Sequence, residues 1–158
     1  MIPIHVLSSS LTDRTICRHR NGNYSMPEIY MLDTDVCSYI IKNRPADLKE
    51  TFLKHKNDVI CISAVTYAEL LYGLENNPSG KLERAINEFV SLVQIIDWDH
   101  AAARKYAKIR HAMTKRGTVI GSLDMQIAAA AIAADARLVT NNKKHFSKIE
   151  DLKIADWI

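Results

Sequence analysis

An apolar run that stops abruptly at three polar residues constrains this chain more than any other stretch. Ile29–Leu32 (IYML) ends in Asp33, Thr34 and Asp35, and the chain resumes as VCSYII with apolar residues at helical spacing. That pattern reads as a buried strand, an acidic turn and a helix leaving it. In open α/β sheets, ligands bind in the crevice outside the carboxyl ends of the strands. Asp33 is therefore a candidate site residue, and the question is which other acids meet it.

The alternation continues along the chain. A helix is expected over about Thr34–Lys42. Pro45 suits the first position of a second helix, Ala46–His55. Val59–Ile62 (VICI) reads as a strand, and Ser63 as the N-cap of a helix AVTYAELLYGLE. NNPSG (Asn76–Gly80) reads as a loop. Leu82, Ile86, Phe89, Val90 and Val93 share one helical face, and QIID follows as a short strand. Asp99 is expected to cap a long helix that runs to about Arg116 and ends at Gly117. Its stripe Ala102, Tyr106, Ile109, Met113 suits a core. A second stripe, Arg104, Lys108, His111 and Lys115, is entirely basic. Ser122 is expected to cap SLDMQIAAAAIAADA, which is apolar nearly all round and so belongs in the middle of the fold. Arg137–Thr140 reads as a strand, NNKKHF as a turn, and LKIADW as a further strand. Strands alternating with helices predict an α/β fold: a mainly parallel sheet of four to five strands with helices on both faces.

A chain of 158 residues, 47% hydrophobic, suits one compact domain. The net charge of +3 is too small to establish a nucleic-acid partner by itself. Arg14, Arg18 and Arg20 lie before Met26 with only Asp13 opposing them, which leaves +1 for the remainder. Residues 1–25 follow neither period and read as a loose N-terminal extension. Met26, just before the first strand, and Met31, within it, would suit a later start; residues 26–158 are expected to form the domain. Cys17, Cys37 and Cys61 lack metal-ligand spacing. Cys37 and Cys61 read as small core residues, consistent with a reducing cytoplasm. No stretch approaches the roughly 18 consecutive apolar residues of a membrane span.

Three carboxylates occupy comparable places: Asp33 after the first strand, Glu69 two turns into the helix after the second, and Asp124 in the first turn of the buried helix. If the strands are neighbours, all three converge above the carboxyl edge of the sheet. Two carboxylates ~4 Å apart repel by roughly 4 kcal/mol at an effective dielectric of ~20. Three such pairs would cost on the order of 10 kcal/mol, comparable to a whole domain's stability. The cluster therefore requires protonation or a cation, and oxygen ligands favour Mg²⁺ or Mn²⁺. Such a metal can activate water and stabilise charge on a phosphodiester. Each acid also has a plainer reading. Asp33 could cap a helix, Glu69 could be solvated, and Asp124 could sit in the helix dipole. Asp99 is a plain N-cap and Asp97 a surface residue.

The segments MLDTDVCSYIIKNRP, ISAVTYAELLYG, RGTVIGSLDMQIAAAA and VTNNKKHF fall in an order that resembles the PIN-domain ribonucleases, specifically the VapC toxins of toxin–antitoxin pairs. The resemblance spans about Ile29 to Trp157. It implies a PIN-like three-layer α/β/α fold and a Mg²⁺- or Mn²⁺-dependent endoribonuclease. The products would be a 3′-hydroxyl and a 5′-phosphate. It carries the metal-site acids onto Asp33, Glu69 and Asp124, and it sets Thr140 and Asn141 at the border of the site, Thr140 orienting water or substrate. It also implies a homodimer held inactive by a VapB-like antitoxin, with RNA, initiator tRNA in its anticodon stem-loop among the candidates, as substrate. Beside it the basic stripe suggests RNA contacts at Arg104, Lys108, His111 and Lys115, with Lys143 and Lys144 near the scissile phosphate. A solvated helix face is the other reading of that stripe.

Two departures stand out. The family commonly has Asn where this chain has Asp35, and often a further acid where it has His145. Either Asp35 supplies the missing charge, or a second metal position is weak. Nothing in the sequence places His145, and it takes no role at this point. Two rivals remain. DTD after an apolar strand mimics a haloacid-dehalogenase phosphatase, but the later paired-acid motif of that family is absent. A PIN fold with poor metal occupancy would instead be a catalytically weak RNA- or protein-binding module.

Overall fold

The computed structural model describes residues 17–18, 24–25, 27–44, 46–55, 57–118 and 120–157. In chain order the elements are β1 (Cys17–Arg18), β2 (Tyr24–Ser25), β3 (Ile29–Leu32), α1 (Thr34–Lys42), α2 (Ala46–Lys54), β4 (Val59–Ser63) and α3 (Ala64–Asn76). Then come α4 (Gly80–Val90), β5 (Gln94–Ile96), α5 (His100–Lys115), α6 (Ser122–Ala133), β6 (Arg137–Val139), α7 (Lys143–Phe146) and β7 (Lys153–Ala155).

Five strands form one sheet in the order β5-β4-β3-β6-β7, and every neighbouring pair is parallel. Side chains alternate faces along a strand, and here the alternation divides two cores. Met31, Cys61 and Leu138 point to one face, against Ile109 and Met113 of α5 and the alanine-rich α6. Leu32, Ile62 and Val139 point to the other, against Val36 and Ile40 of α1, Leu48 and Phe52 of α2, Leu70 of α3 and Phe89 of α4. Both faces are covered, which is the three-layer α/β/α arrangement expected. It also explains why these strands are apolar throughout rather than alternating.

The chain steps outward from β3 to β4 and β5, returns through α5 and α6, and lays β6 on the other side of β3. The order reverses at the β3–β6 pair. The carboxyl ends of those two strands flank the crevice where such sheets place their ligands.

Several expectations need adjustment. Gly121, not Ser122, is the N-cap of α6, and no side chain caps that helix. The helix stops at Ala133, not Ala136, because Asp135 takes a left-handed conformation (φ 52°). NNKKHF is not only a turn: Lys143–Phe146 is a short helix whose Phe146 is buried in the core. The amphipathic helix α4 ends at Val90, and Val93 packs from the turn beyond it. Asp99 caps α5 and Gly117 (φ 63°) ends it, as the sequence suggested. Cys37 and Cys61 are fully buried free thiols. Of the extension over residues 1–25, the described part is an antiparallel pair, β1 with β2, separate from the main sheet. The rest of that extension and Pro45 lie outside the described residues.

Candidate active site

Asp33 follows β3 directly. Its N–H donates to the Val139 carbonyl at 3.0 Å, which carries the β3–β6 ladder one residue past the strand. Its side chain is buried, 5% exposed. One carboxylate oxygen, Oδ1, accepts from the Thr34 N–H at 2.9 Å, and Oδ2 accepts from the Thr140 hydroxyl at 2.7 Å. Asp33 is thus both the N-cap of α1 and a fixed anion at the sheet edge. Thr140, 2% exposed, follows β6, and its Oγ1 also accepts from the Asn142 N–H at 3.0 Å.

Glu69 reaches the same place from α3. It accepts a hydrogen bond from the Thr34 hydroxyl, Oγ1 to Oε2, at 2.5 Å. The helix that carries it is set by Ser63, whose Oγ accepts from the Thr66 N–H at 2.9 Å. Asp124 is half-buried in the first turn of α6. Its carboxylate lies over Gly121: a Cβ added there would stand 3.3 Å from Oδ2. Asp35 is exposed in the first turn of α1. His145, on α7, has Nδ1 3.0 Å from Nδ2 of Asn142. One chain of contacts therefore runs Glu69–Thr34–Asp33–Thr140–Asn142–His145.

The electrostatics are those of an uncompensated anion. Burial pushes the Asp33 carboxyl up to about 6, and Asp35 and Asp124 push the same way. The bonds from Thr140 and the Thr34 N–H oppose this without cancelling it. Burial also raises Asp124, with Asp35 adding to it, while His145 pulls it down. Among the described residues none of Asp33, Asp35, Glu69 or Asp124 forms an ion pair with a Lys or Arg. Acidic, oxygen-only donors with no Lys or Arg partner among the described residues fit a hard divalent cation. Among the described residues, no three His, Cys, Asp or Glu side chains stand close enough together to hold a metal as they are.

Asp33, Glu69 and Thr140 are thus linked by hydrogen bonds, and Asp124 and Asp35 join them through the field they exert. The basic residues are placed less closely. Arg104, Lys108, His111 and Lys115 are exposed along α5, the helix packed on α6. Lys144 is exposed, and Lys143 pairs with Asp156. Sequence reasoning assigned no role to Thr34, Gly121, Asn142 or His145. The DTD triplet held Thr34 in plain view, but nothing in spacing tells which carboxylate a threonine will serve.

A family model described as the PIN domain matches residues 30–152 of this chain. A tRNA(fMet)-specific endonuclease VapC from Shigella flexneri is 37% identical over 129 residues, covering 81% of this chain and 97% of that protein. The crystal structure of VapBC2 from Rickettsia felis, bound to a DNA fragment from its promoter, superposes with a TM-score of 0.76 at 36% identity. The match covers 82% of this chain and 99% of that one. DNA-bound VapBC from Salmonella typhimurium gives 0.75 at 35% identity, with 84% and 100% covered.

Proposed function

The chain belongs to the PIN-domain family of VapC ribonucleases, and from that premise we propose that it is the toxin of a toxin–antitoxin pair, an endoribonuclease that hydrolyses phosphodiester bonds. The observation that carries this reading is the buried Asp33 carboxylate, held by two threonines at the strand-order reversal beside further acids, with no Lys or Arg ion pair among the described residues.

Asp33, Glu69 and Asp124 would hold a divalent cation, Mg²⁺ or Mn²⁺. At such a site a cation supplies an acidified water and neutralises charge on the phosphoryl oxygens. The chain's own residues do the positioning. Thr140 fixes the Asp33 rotamer through Oδ2, and the Asn142 N–H fixes the Thr140 hydroxyl in turn. Asp35 adds negative charge at the open face of the site, the role the extra acid in DTD suggests. Arg104, Lys108, His111 and Lys115 along α5, with Lys143 and Lys144 beside the site, would contact RNA phosphates. Such contacts position a substrate without reading its sequence.

The relative from Shigella flexneri is named for tRNA(fMet), and initiator tRNA, cut in its anticodon stem-loop, is the substrate we propose. The solved relatives are complexes of VapB with VapC. A VapB-like antitoxin is accordingly the proposed partner, a homodimer the proposed assembly and the cytoplasm the compartment. Among the described residues no helix is long and apolar enough to cross a membrane.

The deciding experiment incubates antitoxin-free protein with total tRNA in Mg²⁺ or Mn²⁺ and in EDTA, beside the Asp124→Asn variant. Discrete metal-dependent fragments from the wild type alone are the expected result. A folded wild type that neither cuts nor binds metal would overturn the enzyme in favour of a PIN-fold binding module.

A further inference from the structure

Thr34 makes two bonds that no other residue of the site makes. Its backbone N–H donates to Asp33 and its hydroxyl donates to Glu69, 35 positions further along the chain. The two acids sit on different strand–helix units, after β3 and within α3. Among the described residues Thr34 is therefore the one bonded to both, and we propose that it is a positioning residue that sets how far apart these carboxylates stand. This inference rests on the reading that the acids hold a divalent cation.

The sequence gives Thr34 the means. As the first residue of α1, it has an N–H with no intrahelical partner. Asp33 takes that N–H, and its other oxygen is held by Thr140. A cap ordinarily serves the second or third amide of a helix; here the cap bonds to the first. A β-branched side chain has few χ1 choices. Thr34 begins the helix, so no helical carbonyl lies behind it to accept its hydroxyl. Helices α1 and α3 pack together on the same face of the sheet, so the hydroxyl reaches the half-buried Glu69. A glutamate side chain is otherwise among the most mobile. The hydroxyl restricts it on the side of Asp33, and it does so with a neutral donor that leaves the net charge for a cation unchanged.

Residues that orient metal ligands typically change affinity by roughly 10–100-fold when removed. The test compares Thr34→Val, which keeps shape and β-branching but lacks the donor, with Thr34→Ser, which keeps the donor. Mn²⁺ affinity of the antitoxin-free protein is read by electron paramagnetic resonance of free Mn²⁺, with melting in EDTA alongside. Thr34→Val is expected to weaken Mn²⁺ binding by about tenfold, with a melting temperature in EDTA near that of the wild type. Thr34→Ser is expected to restore binding to within about threefold. In a Glu69→Ala background the same Thr34→Val change should have no further effect, because a residue acting through Glu69 is silent without it. Wild-type affinity in Thr34→Val, or equal loss with and without Glu69, would overturn the inference while leaving the metal reading intact. A wild type that binds no Mn²⁺ would remove the metal reading and this inference with it.

Discussion

Replacing Asp33 by Asn should make the metal-free protein more stable while destroying the site. Burial raises the Asp33 carboxyl from 3.8 to about 6. A difference of roughly two pH units corresponds to about 3 kcal/mol of penalty on the folded state once the group is ionised. The folded midpoint lies above the unfolded one. This group therefore favours folding fully below pH 3.8, and that contribution is lost as pH rises through about 6. Asparagine has nearly the same shape and cannot ionise. Its carbonyl can still accept from the Thr34 N–H, and its amide can donate to the Thr140 hydroxyl. At pH 7.5 in EDTA the variant should gain up to about 3 kcal/mol. In a chain of this size that is on the order of 6–12 °C in melting temperature. At about pH 3, below the unfolded value of 3.8, the gain should vanish, because the group is then protonated in both the folded and the unfolded chain. Thermal melts of both proteins at the two pH values, with and without Mn²⁺, measure this directly. A variant that melts at or below the wild type at pH 7.5 in EDTA would refute the idea that an ionised Asp33 is held against its burial.

The same linkage predicts that Mg²⁺ or Mn²⁺ raises the wild-type melting temperature at pH 7.5 and does little at pH 4.5, where protons occupy the site; equal shifts at both would count against it. Gly121→Ala puts a methyl 3.3 Å from the Asp124 carboxylate, tighter than ordinary contact, so Mn²⁺ affinity should fall several-fold with little change in fold by circular dichroism. Asp35→Asn removes a negative charge that raises both Asp33 and Asp124; weaker Mn²⁺ binding is expected, and an unchanged titration would remove Asp35 from the site. If the α5 stripe follows RNA, Lys108→Ala with Lys115→Ala should reduce the slope of log affinity against log salt by about 1.5, measured in EDTA on an Asp124→Asn background, where no cleavage is expected. An unchanged slope would mean a solvated helix face.

Most of the fold was legible because its signals are local. Apolar runs of three to five residues ended at polar caps, and the intervening helices carried clear stripes. Parallel pairing then followed from the alternation of elements, since parallel neighbours need crossovers. Asp33, Glu69 and Asp124 were legible for a related reason: each stands shortly after the end of a strand or the start of a helix. Their hydrogen-bond pairings were not, although the resemblance had set Thr140 at the border of the site. Thr140 bonds to Asp33 across 107 positions, and Thr34 to Glu69 across 35. Such pairings depend on strand order, which periodicity does not encode. The misplaced cap of α6 has a physical cause as well. Serine is a favoured N-cap, but Gly121 keeps space free for the Asp124 carboxylate. A local preference gave way to the geometry of the site.

The join between β3 and β6 also has a consequence in time. Asp33 lies near the start of the domain and Thr140 near its end. A ribosome completes β3, β4 and β5 well before Arg137 exists. Until β6 docks, β3 has an open edge, and Asp33 has neither the Val139 carbonyl nor the Thr140 hydroxyl to hold it. A chain interrupted before that point carries the acids without the arrangement that orients them. The machine making this protein is itself built of RNA and served by tRNA, and the order of synthesis delays assembly of the candidate site until β6 has been made.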